Sequence, residues 1–277
     1  YDYKLPGIEA TINLLEECEI RHTGAGWKKE HLEPVIINKN GIRMAFLAYV
    51  DRSTNPSSGK FPDFLINYFD IDAVIKNVAR IRTEVDKVIL SIHWGVDYSH
   101  YPTKEQFTIA HKLLDSGVDI IMGHHAHAIQ PFEKSEKGII FYGLGGLTFG
   151  DDLWRGKIRA LKVKTKHAYT PFLNVCKEGV LIEDLIGTKE IPGNYVLRTN
   201  RNYFNWSDRM MKRTKLMHNI HLINWISRPF EKYFDKYYDF FFGYYQNPLK
   251  EILSMNNYKL LIKKILRNET GIVADNK

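Results

Sequence analysis

Cysteine is scarce in this sequence: Cys18 and Cys176 are the two cysteines among 277 residues. Two cysteines build no disulfide framework, so we expect two buried free thiols, with a single disulfide between them as the alternative. No apolar run approaches the roughly 18 residues of a membrane-spanning helix, and no signal peptide is recognisable. Residues 1–191 also lack a block of lysine and arginine interleaved with aromatics. Despite a net charge of +7, no nucleic-acid partner is therefore expected.

The sequence has the hydrophobic content of a globular protein, with its clearest pattern between residues 88 and 149. Hydrophobic residues make up 44% of the chain, enough to bury one core and a smaller satellite. Three short apolar runs, 88–92, 119–122 and 138–142, are rich in Ile and indicate buried strands of an α/β sheet. Each run gives way to Gly or His at its carboxyl end. Open α/β sheets bind their ligands at that edge.

A helix is predicted between the first two of these strands. Thr103 and Gln106 have the spacing of a capping box, and Gly117 stands where a helix ends. The apolar face of this helix consists of Phe107, Ala110, Leu113 and Leu114. A strand, a loop, a helix and a strand in this order make the two strands parallel. Four histidines are therefore predicted at one edge of the sheet: His93, His124, His125 and His127.

These four histidines form a candidate metal site. Neutral imidazole is a common ligand of zinc, manganese and iron, so several imidazoles at one edge can hold a divalent ion. In an extended segment His125 and His127 face one side and His124 faces the other, which leaves His124 for an outer position or a neighbouring ion. A chance cluster of surface histidines is the alternative, since the chain has 11. The strand and the glycine that precede the cluster favour the metal.

The residues before the central stretch predict helices and one hairpin. The helices cover residues 5–19 and a segment that Asp70 or Asp72 caps. Asn40-Gly41 is the strongest short hairpin signal and predicts a turn between two strands. In the loop after the second strand, Arg52 and Lys60 either meet an anionic substrate or face solvent.

Two regions of different composition follow the central stretch. Three segments predict a second sheet: 159–165, 172–175 and 180–182. From about residue 192, aromatic and basic residues crowd the sequence, which predicts a helical appendage packed on the domain or on another subunit. The alternative is an interfacial helix whose basic flank meets anionic lipid or polymer.

Three motifs carry a family resemblance. They are His93-Trp94-Gly95-Val96-Asp97-Tyr98, the run 117–127 with its Gly123-His124-His125-Ala126-His127, and Phe141-Tyr142-Gly143-Leu144-Gly145. In order and spacing they resemble the CapA family of poly-γ-glutamate capsule synthesis proteins, whose fold is similar to that of calcineurin-like metallophosphoesterases. Weaker upstream matches, such as Gly24-Ala25-Gly26, extend the resemblance over about residues 1–185.

The resemblance implies an α/β fold of four αββα layers over residues 1–191, with residues 192–277 as a helical C-terminal extension. The sequence starts at Tyr1 without a methionine, so the family's first strands, with metal-binding Asp residues and an Asn-His pair, are expected upstream. The chain is therefore interpreted as an N-terminally truncated fragment. Two further positions depart from the family pattern: Gly146 stands at its Asn, and Asp97 stands at its usual Glu.

The resemblance also implies a centre of two divalent metal ions, Mn, Fe or Zn. The expected ligands are His93 and His125 first, then His127, and last His124. Asp97 is expected to orient a ligand histidine. His100, in the loop after the first strand, is a candidate proton donor to a leaving group, with a solvated loop histidine as the alternative.

Two functions are open at this point. The first is a metal-dependent hydrolase of phosphoester or γ-glutamyl amide bonds in capsule or envelope polymer synthesis. The second is a non-enzymatic accessory of polymer synthesis and export that binds the polymer. The expected partner is an anionic polymer such as poly-γ-glutamate, or a phosphorylated substrate, with a membrane surface or synthase complex contacting residues 192–277. The expected location is the cell envelope or membrane, with the cytoplasm as the alternative.

Overall fold

A computed structural model describes residues 4–54, 63–148, 152–154, 157–159, 166–191, 195–198 and 202–219. The helices are α1 (Lys4–Glu17), α2 (Ile71–Arg82), α3 (Lys104–Asp115) and α4 (Tyr203–Asn219), with a 3-10 turn at Lys29–Leu32. The strands are β1 (Ala25–Gly26), β2 (Val35–Lys39), β3 (Ile42–Val50), β4 (Leu65–Ile66), β5 (Lys87–Trp94), β6 (Ile120–His125), β7 (Phe132–Ser135), β8 (Gly138–Phe141), β9 (Asp152–Trp154), β10 (Lys157–Arg159), β11 (His167–Val175), β12 (Val180–Ile191) and β13 (Tyr195–Arg198).

The central sheet is mixed and has six strands in the order β2-β3-β5-β6-β8-β7. The four inner strands β3, β5, β6 and β8 run parallel, and β2 and β7 pair antiparallel at the two edges. The predicted parallel pairing of the strands before and after α3 is confirmed. An α/β fold with a mixed sheet therefore holds the carboxyl ends of β3, β5 and β6 side by side.

Local signals explain the elements that build this sheet. The β2–β3 hairpin turns at Asn40 and Gly41, which both have positive φ (54° and 76°), the conformation that a two-residue turn of this kind requires. Asp70 caps α2 by accepting a hydrogen bond from the Ala73 backbone N–H at 2.9 Å. Thr103 and Gln106 form the predicted capping box at the start of α3.

The main core lies between the central sheet and helices α2 and α3. Both helices bury one apolar stripe against the sheet. The fully buried members of this core include Val74 and Val78 of α2, Ala110 and Leu113 of α3, and Val88, Leu90, Ile92 and Ile121 of the sheet. The predicted apolar face of α3 is therefore its core face.

A second, three-stranded antiparallel sheet has the order β11-β12-β13. Its β11 joins the end of the central sheet, where the Tyr169 N–H donates to the Leu144 carbonyl at 3.1 Å. The ring of Tyr169 is buried against Phe141 of β8 and Phe132 of β7. Two of the segments predicted for a second sheet, 172–175 and 180–182, lie in β11 and β12, whereas residues 160–165 lie outside the described residues.

Strands β12 and β13 pair across the predicted domain boundary at residue 191. Ile191 of β12 lies opposite Tyr195 of β13, and Ser207 of α4 hydrogen-bonds both backbone groups of Phe132 at 2.8 and 3.0 Å. The two-domain division stays a prediction, since residues 220–277, most of the predicted appendage, lie outside the described residues. Within the described helices, none is long and apolar enough to cross a membrane.

The cysteine prediction was wrong in part. Both thiols are free, as expected, but Cys18 is exposed and Cys176 is half-buried. Cys18 lies just after α1, where Glu19 adopts a positive φ of 56° and the chain reverses, so its side chain does not join the helix face that packs inward.

Candidate metal centre

The histidines lie where β5 and β6 end. In the parallel register His93 is opposite His124, and Trp94 is opposite His125. On the other side of β5, the Asp51 N–H that follows β3 donates to the His93 carbonyl at 2.9 Å. His93 therefore stands in the middle of the carboxyl edge of the sheet, the position predicted from the strand pattern.

Gly123 allows β6 to approach the end of β8. A Cβ at this position would lie 1.9 Å from the carbonyl oxygen of Tyr142, far inside van der Waals contact. The same carbonyl accepts a hydrogen bond from the Trp94 indole at 3.2 Å, and the Leu144 N–H donates to the Gly123 carbonyl at 3.2 Å. The glycine before the histidines is therefore a packing requirement, and it sets the start of the histidine loop.

The histidine loop does not have the extended backbone that the sequence pattern assumed. His125 and His127 both have positive φ, 91° and 50°. This conformation costs a residue other than glycine about 1–3 kcal/mol. The loop is held by the Tyr98 N–H, which donates to the Ala126 carbonyl, and by burial of Ala126 and Ala128. The positive φ values at His125 and His127, and not the alternation of an extended strand, therefore bring the two imidazoles together.

Three imidazoles and one carboxylate meet at this edge. The ring centroids of His93 and His125 are 4.7 Å apart, and those of His125 and His127 are 6.1 Å apart. Asp97 Oδ1 lies 3.4 Å from His125 Nε2. One ligand atom each from Asp97, His125 and His127 lie within 4.8 Å of one another. Nitrogen and oxygen atoms at these separations fit a single divalent ion of the zinc, manganese or iron class.

The protonation states suit metal binding. Burial, reinforced by the neighbouring His125, lowers the pKa of His93 to about 4. Burial also lowers the pKa of His127, although the carboxylate of Asp97 opposes that shift. Both imidazoles are neutral at pH 7, and a neutral imidazole has the free electron pair that a metal ligand needs.

The remaining predicted site residues lie elsewhere or make other contacts. His124 is exposed and does not belong to the group of Asp97, His125 and His127. His100 is 3% exposed, and its Nδ1 lies 3.0 Å from the Ile129 carbonyl, so it is not the solvated loop histidine of the alternative interpretation. Its role as a proton donor stays a prediction. Asp97 was expected to orient a histidine and lies close enough to be a ligand itself.

Two residues at the site were not singled out by sequence reasoning. The ring of Tyr98 lies 5.9 Å from that of His127. Gln130 is fully buried, and its side-chain amide donates to the Ser99 carbonyl at 2.9 Å, which ties the loop after β5 to the loop after β6. For Tyr98, its position inside the first matched motif was an available signal, whereas Gln130 lies three residues after the run 117–127.

The cations of the loop after β3 are only partly described. Arg52 lies over the ring of Tyr68, with its guanidinium carbon 3.9 Å from the ring centroid. This contact holds Arg52 near the carboxyl end of β3. Lys60 lies outside the described residues.

The fold and this site define a class: an α/β protein with a candidate metal centre of histidines and a carboxylate at the carboxyl edge of a mixed sheet. The family model described as "Bacterial capsule synthesis protein PGA_cap" matches residues 1–151, more than half of the 277 residues. The chain therefore belongs to the PGA_cap family, and the family resemblance of its histidine motifs is confirmed.

Two curated relatives are each similar to more than half of the chain. The capsule biosynthesis protein CapA of Bacillus anthracis is 30% identical over 171 residues, which cover 58% of this chain and 40% of the relative. The PGA biosynthesis protein CapA of Bacillus subtilis (strain 168) is 28% identical over 162 residues, 58% of this chain and 43% of the relative. The chain thus spans less than half the length of these relatives.

Solved structures resemble the chain more distantly. The calcineurin-like phosphoesterase YfkN from Bacillus subtilis superposes with a TM-score of 0.35 at 15% identity, covering 70% of this chain and 62% of that structure.

Proposed function

We propose that this chain carries the metal centre of a hydrolase that cleaves phosphoester or γ-glutamyl amide bonds in the synthesis of capsular poly-γ-glutamate. The observation that carries the proposal is the convergence of His93, His125, His127 and Asp97 at one sheet edge, with ligand atoms of three of them within 4.8 Å. Membership of the PGA_cap family supports the biological setting. The net charge of +7 supports an anionic substrate.

The side chains of His93, His125, His127 and Asp97 would hold one divalent ion. We propose a second ion beside it, with His124 as its ligand. An ion bound there would supply Lewis acidity to the bond that is cut. The chain's own contribution is positional. The Asp97 side chain is 55% exposed and is therefore accessible to a substrate. Burial lowers the pKa of the half-buried His93, so its imidazole is neutral at pH 7. Tyr98 packs beside His127 and limits the rotation of its ring.

The four-layer αββα architecture is part of the same proposal. Its support is the second sheet, β11-β12-β13, whose Tyr169 packs against the β7–β8 end of the central sheet and donates a hydrogen bond from its hydroxyl to the Gln130 carbonyl at 3.0 Å. His100 is proposed as the proton donor to the leaving group. Because it is buried, this role requires the loop after β5 to move when substrate binds.

A second function, a non-enzymatic accessory that binds the polymer, is favoured by one position. Gly146 stands where the family pattern has Asn, and its backbone N–H donates to the His167 carbonyl at 3.1 Å. A glycine offers no side-chain amide to a substrate or ion at this corner. The same edge would then bind polymer without cleaving it.

One experiment separates these functions. The chain is assayed for bound metal and for hydrolysis of para-nitrophenyl phosphate and γ-glutamyl para-nitroanilide, with His125→Ala as the test variant. We expect turnover in the wild type and a loss of about 100-fold or more in the variant. His111→Ala is the matched control, since His111 lies on α3, 40% exposed and paired with Glu133. If the chain binds metal but hydrolyses neither compound, the accessory function is supported. If it neither binds metal nor hydrolyses them, the proposed metal centre is contradicted.

We also propose a cell-envelope location in which residues 192–277 contact a membrane surface or a synthase complex. The support is the crowding of aromatic and basic residues in this part of the sequence. Flotation of the chain with anionic and with zwitterionic liposomes tests the membrane contact. Binding to anionic liposomes that salt releases is the expected result.

A further inference from the structure

A second group of metal-ligand residues lies outside the candidate metal centre and shares no residue with it. Glu16 comes from α1, His22 from the segment after α1, and His31 from the 3-10 turn Lys29–Leu32. One ligand atom from each of the three lies within 4.8 Å of the other two. The three residues are far enough apart in sequence that no single helix or strand period brings them together.

The end of α1 brings His22 back beside Glu16. Glu19 has a φ of 56°, and around it the Glu19 N–H donates to the Glu16 carbonyl at 3.0 Å and the Ile20 N–H donates to the Leu15 carbonyl at 2.8 Å. This pattern ends a helix and reverses the chain. The chain then runs back along the last turn of α1, which carries Glu16.

Backbone contacts hold His31 on the other side of the group. The Gly24 N–H donates to the His31 carbonyl at 2.8 Å, and the Thr23 hydroxyl donates to the Glu33 carbonyl at 2.7 Å. A Cβ on Gly26 would lie 1.9 Å from His31 Nδ1, so the imidazole rests directly on the backbone of Gly26. This contact turns the opposite ring nitrogen, Nε2, toward Glu16 Oε1 at 3.6 Å.

The arrangement of the two imidazoles suits a shared cation. The ring centroids of His22 and His31 are 4.9 Å apart at an interplanar angle of 59°, and the His31 side chain is 15% exposed. A simple ion pair between Glu16 and His31 would not account for the second imidazole, that of His22, beside them. Two imidazole nitrogens and one carboxylate oxygen are, in contrast, the ligand set of many zinc and iron sites.

We propose that Glu16, His22 and His31 bind a divalent transition-metal ion, with Zn²⁺ as the ion that this ligand set suits. Three protein ligands leave a fourth tetrahedral position open to water. The ion would connect the end of α1, the 3-10 turn and the segment between them, where Glu16 and His31 already lie 3.6 Å apart. The proposal does not depend on the hydrolase centre, since the two groups have separate residues.

Zinc titration by calorimetry tests the proposal on the full chain carrying His125→Ala and His127→Ala, which removes the other centre. We expect this variant to bind one Zn²⁺, and the further change His31→Ala or His22→Ala to abolish that binding. Glu16→Gln should weaken it by about tenfold or more, whereas Glu17→Gln, at the next position and also exposed, should leave it unchanged.

Circular dichroism and melting temperatures distinguish a variant that has lost the zinc site from one that fails to fold. Circular dichroism compares the fold of each variant without metal, and zinc should raise the melting temperature of the parent variant but not that of its Glu16→Gln derivative. The proposal is overturned if the parent binds no Zn²⁺, or if correctly folded His22→Ala and His31→Ala variants bind it unchanged. Loss of hydrolase activity has no bearing on either result.

Discussion

Asp119 lies inside the matched motif, but the structure predicts that its role is stability and not metal binding. Its carboxylate accepts hydrogen bonds from the Val88 N–H at 2.8 Å and the Arg82 guanidinium at 3.1 Å, and lies 3.2 Å from the Lys87 ammonium. Asp119 directly precedes β6, whereas His125 ends that strand, roughly 20 Å away at about 3.3 Å per residue.

The expected magnitude follows from the burial of the partners. Lys87 is 6% exposed and Asp119 is 13% exposed, so Asp119→Ala leaves a buried ammonium without its carboxylate, a change that costs about 3–5 kcal/mol. The Val88 N–H also loses its side-chain acceptor. The Arg82 contact adds little, because the arginine is 36% exposed and water screens its charge. We therefore expect Asp119→Ala to lower the free energy of unfolding by about 3–5 kcal/mol.

Urea unfolding followed by tryptophan fluorescence, to which the buried Trp94 contributes, measures this change. Asp115→Ala is the control, since Asp115 pairs with Lys137 at the surface, and its loss should cost at most about 1 kcal/mol. Lys87→Met in the Asp119→Ala background should recover part of the stability by removing the unpaired charge. The reasoning is refuted if Asp119→Ala unfolds like the control, or if it loses metal at the His125 centre while its stability is unchanged.

Three further predictions concern the site and the elements beside it. The pKa of His93 is lowered to about 4 in the folded protein, so the unfolded chain takes up a proton near pH 6.5 while the folded chain does not. The metal-free protein should therefore lose stability as the pH falls from about 6.5 to 4. His93→Gln should lose less stability over the same pH range. Gly123→Ala should destabilise by about 1–3 kcal/mol or more, since its Cβ would overlap the Tyr142 carbonyl, and denaturant midpoints measure the change. Thr103→Ala should cost about 1 kcal/mol through loss of the capping box with Gln106, measured in the same way.

Each of these predictions has a contradicting outcome. Equal pH slopes for wild type and His93→Gln would show that His93 titrates normally. A Gly123→Ala variant of wild-type stability would mean that β6 moves away from β8 without penalty. If Thr103→Ala and the exposed α3 variant Lys104→Ala had the same stability, the capping box would contribute nothing measurable.

Local patterns in the sequence predicted much of the sheet. Thr103 with Gln106 marks the start of α3, Asn40-Gly41 marks the β2–β3 turn, and the apolar runs around α3 mark two strands that had to be parallel. These signals involve residues close in sequence, so the preferences of the backbone decide them. The same topology places His93 and His125 at one edge of the sheet.

The site itself depended on contacts that no local pattern records. Strand alternation was the wrong reason for the convergence of His125 and His127, because both residues have positive φ and the Tyr98 N–H holds their loop. Asp97 was expected behind the ligands and lies 3.4 Å from His125 Nε2. Loops take such conformations when packing around them outweighs the strain of each residue.

The sequence alone determined the family, the α/β class and the edge of the sheet where the histidines meet, since each follows from motif order and the period of apolar residues. The tertiary structure decided which side chains lie within 4.8 Å of one another, in the His125 group and in the Glu16 group alike. Those distances arise where segments far apart in sequence fold onto each other, and a ligand set is defined by distances in space.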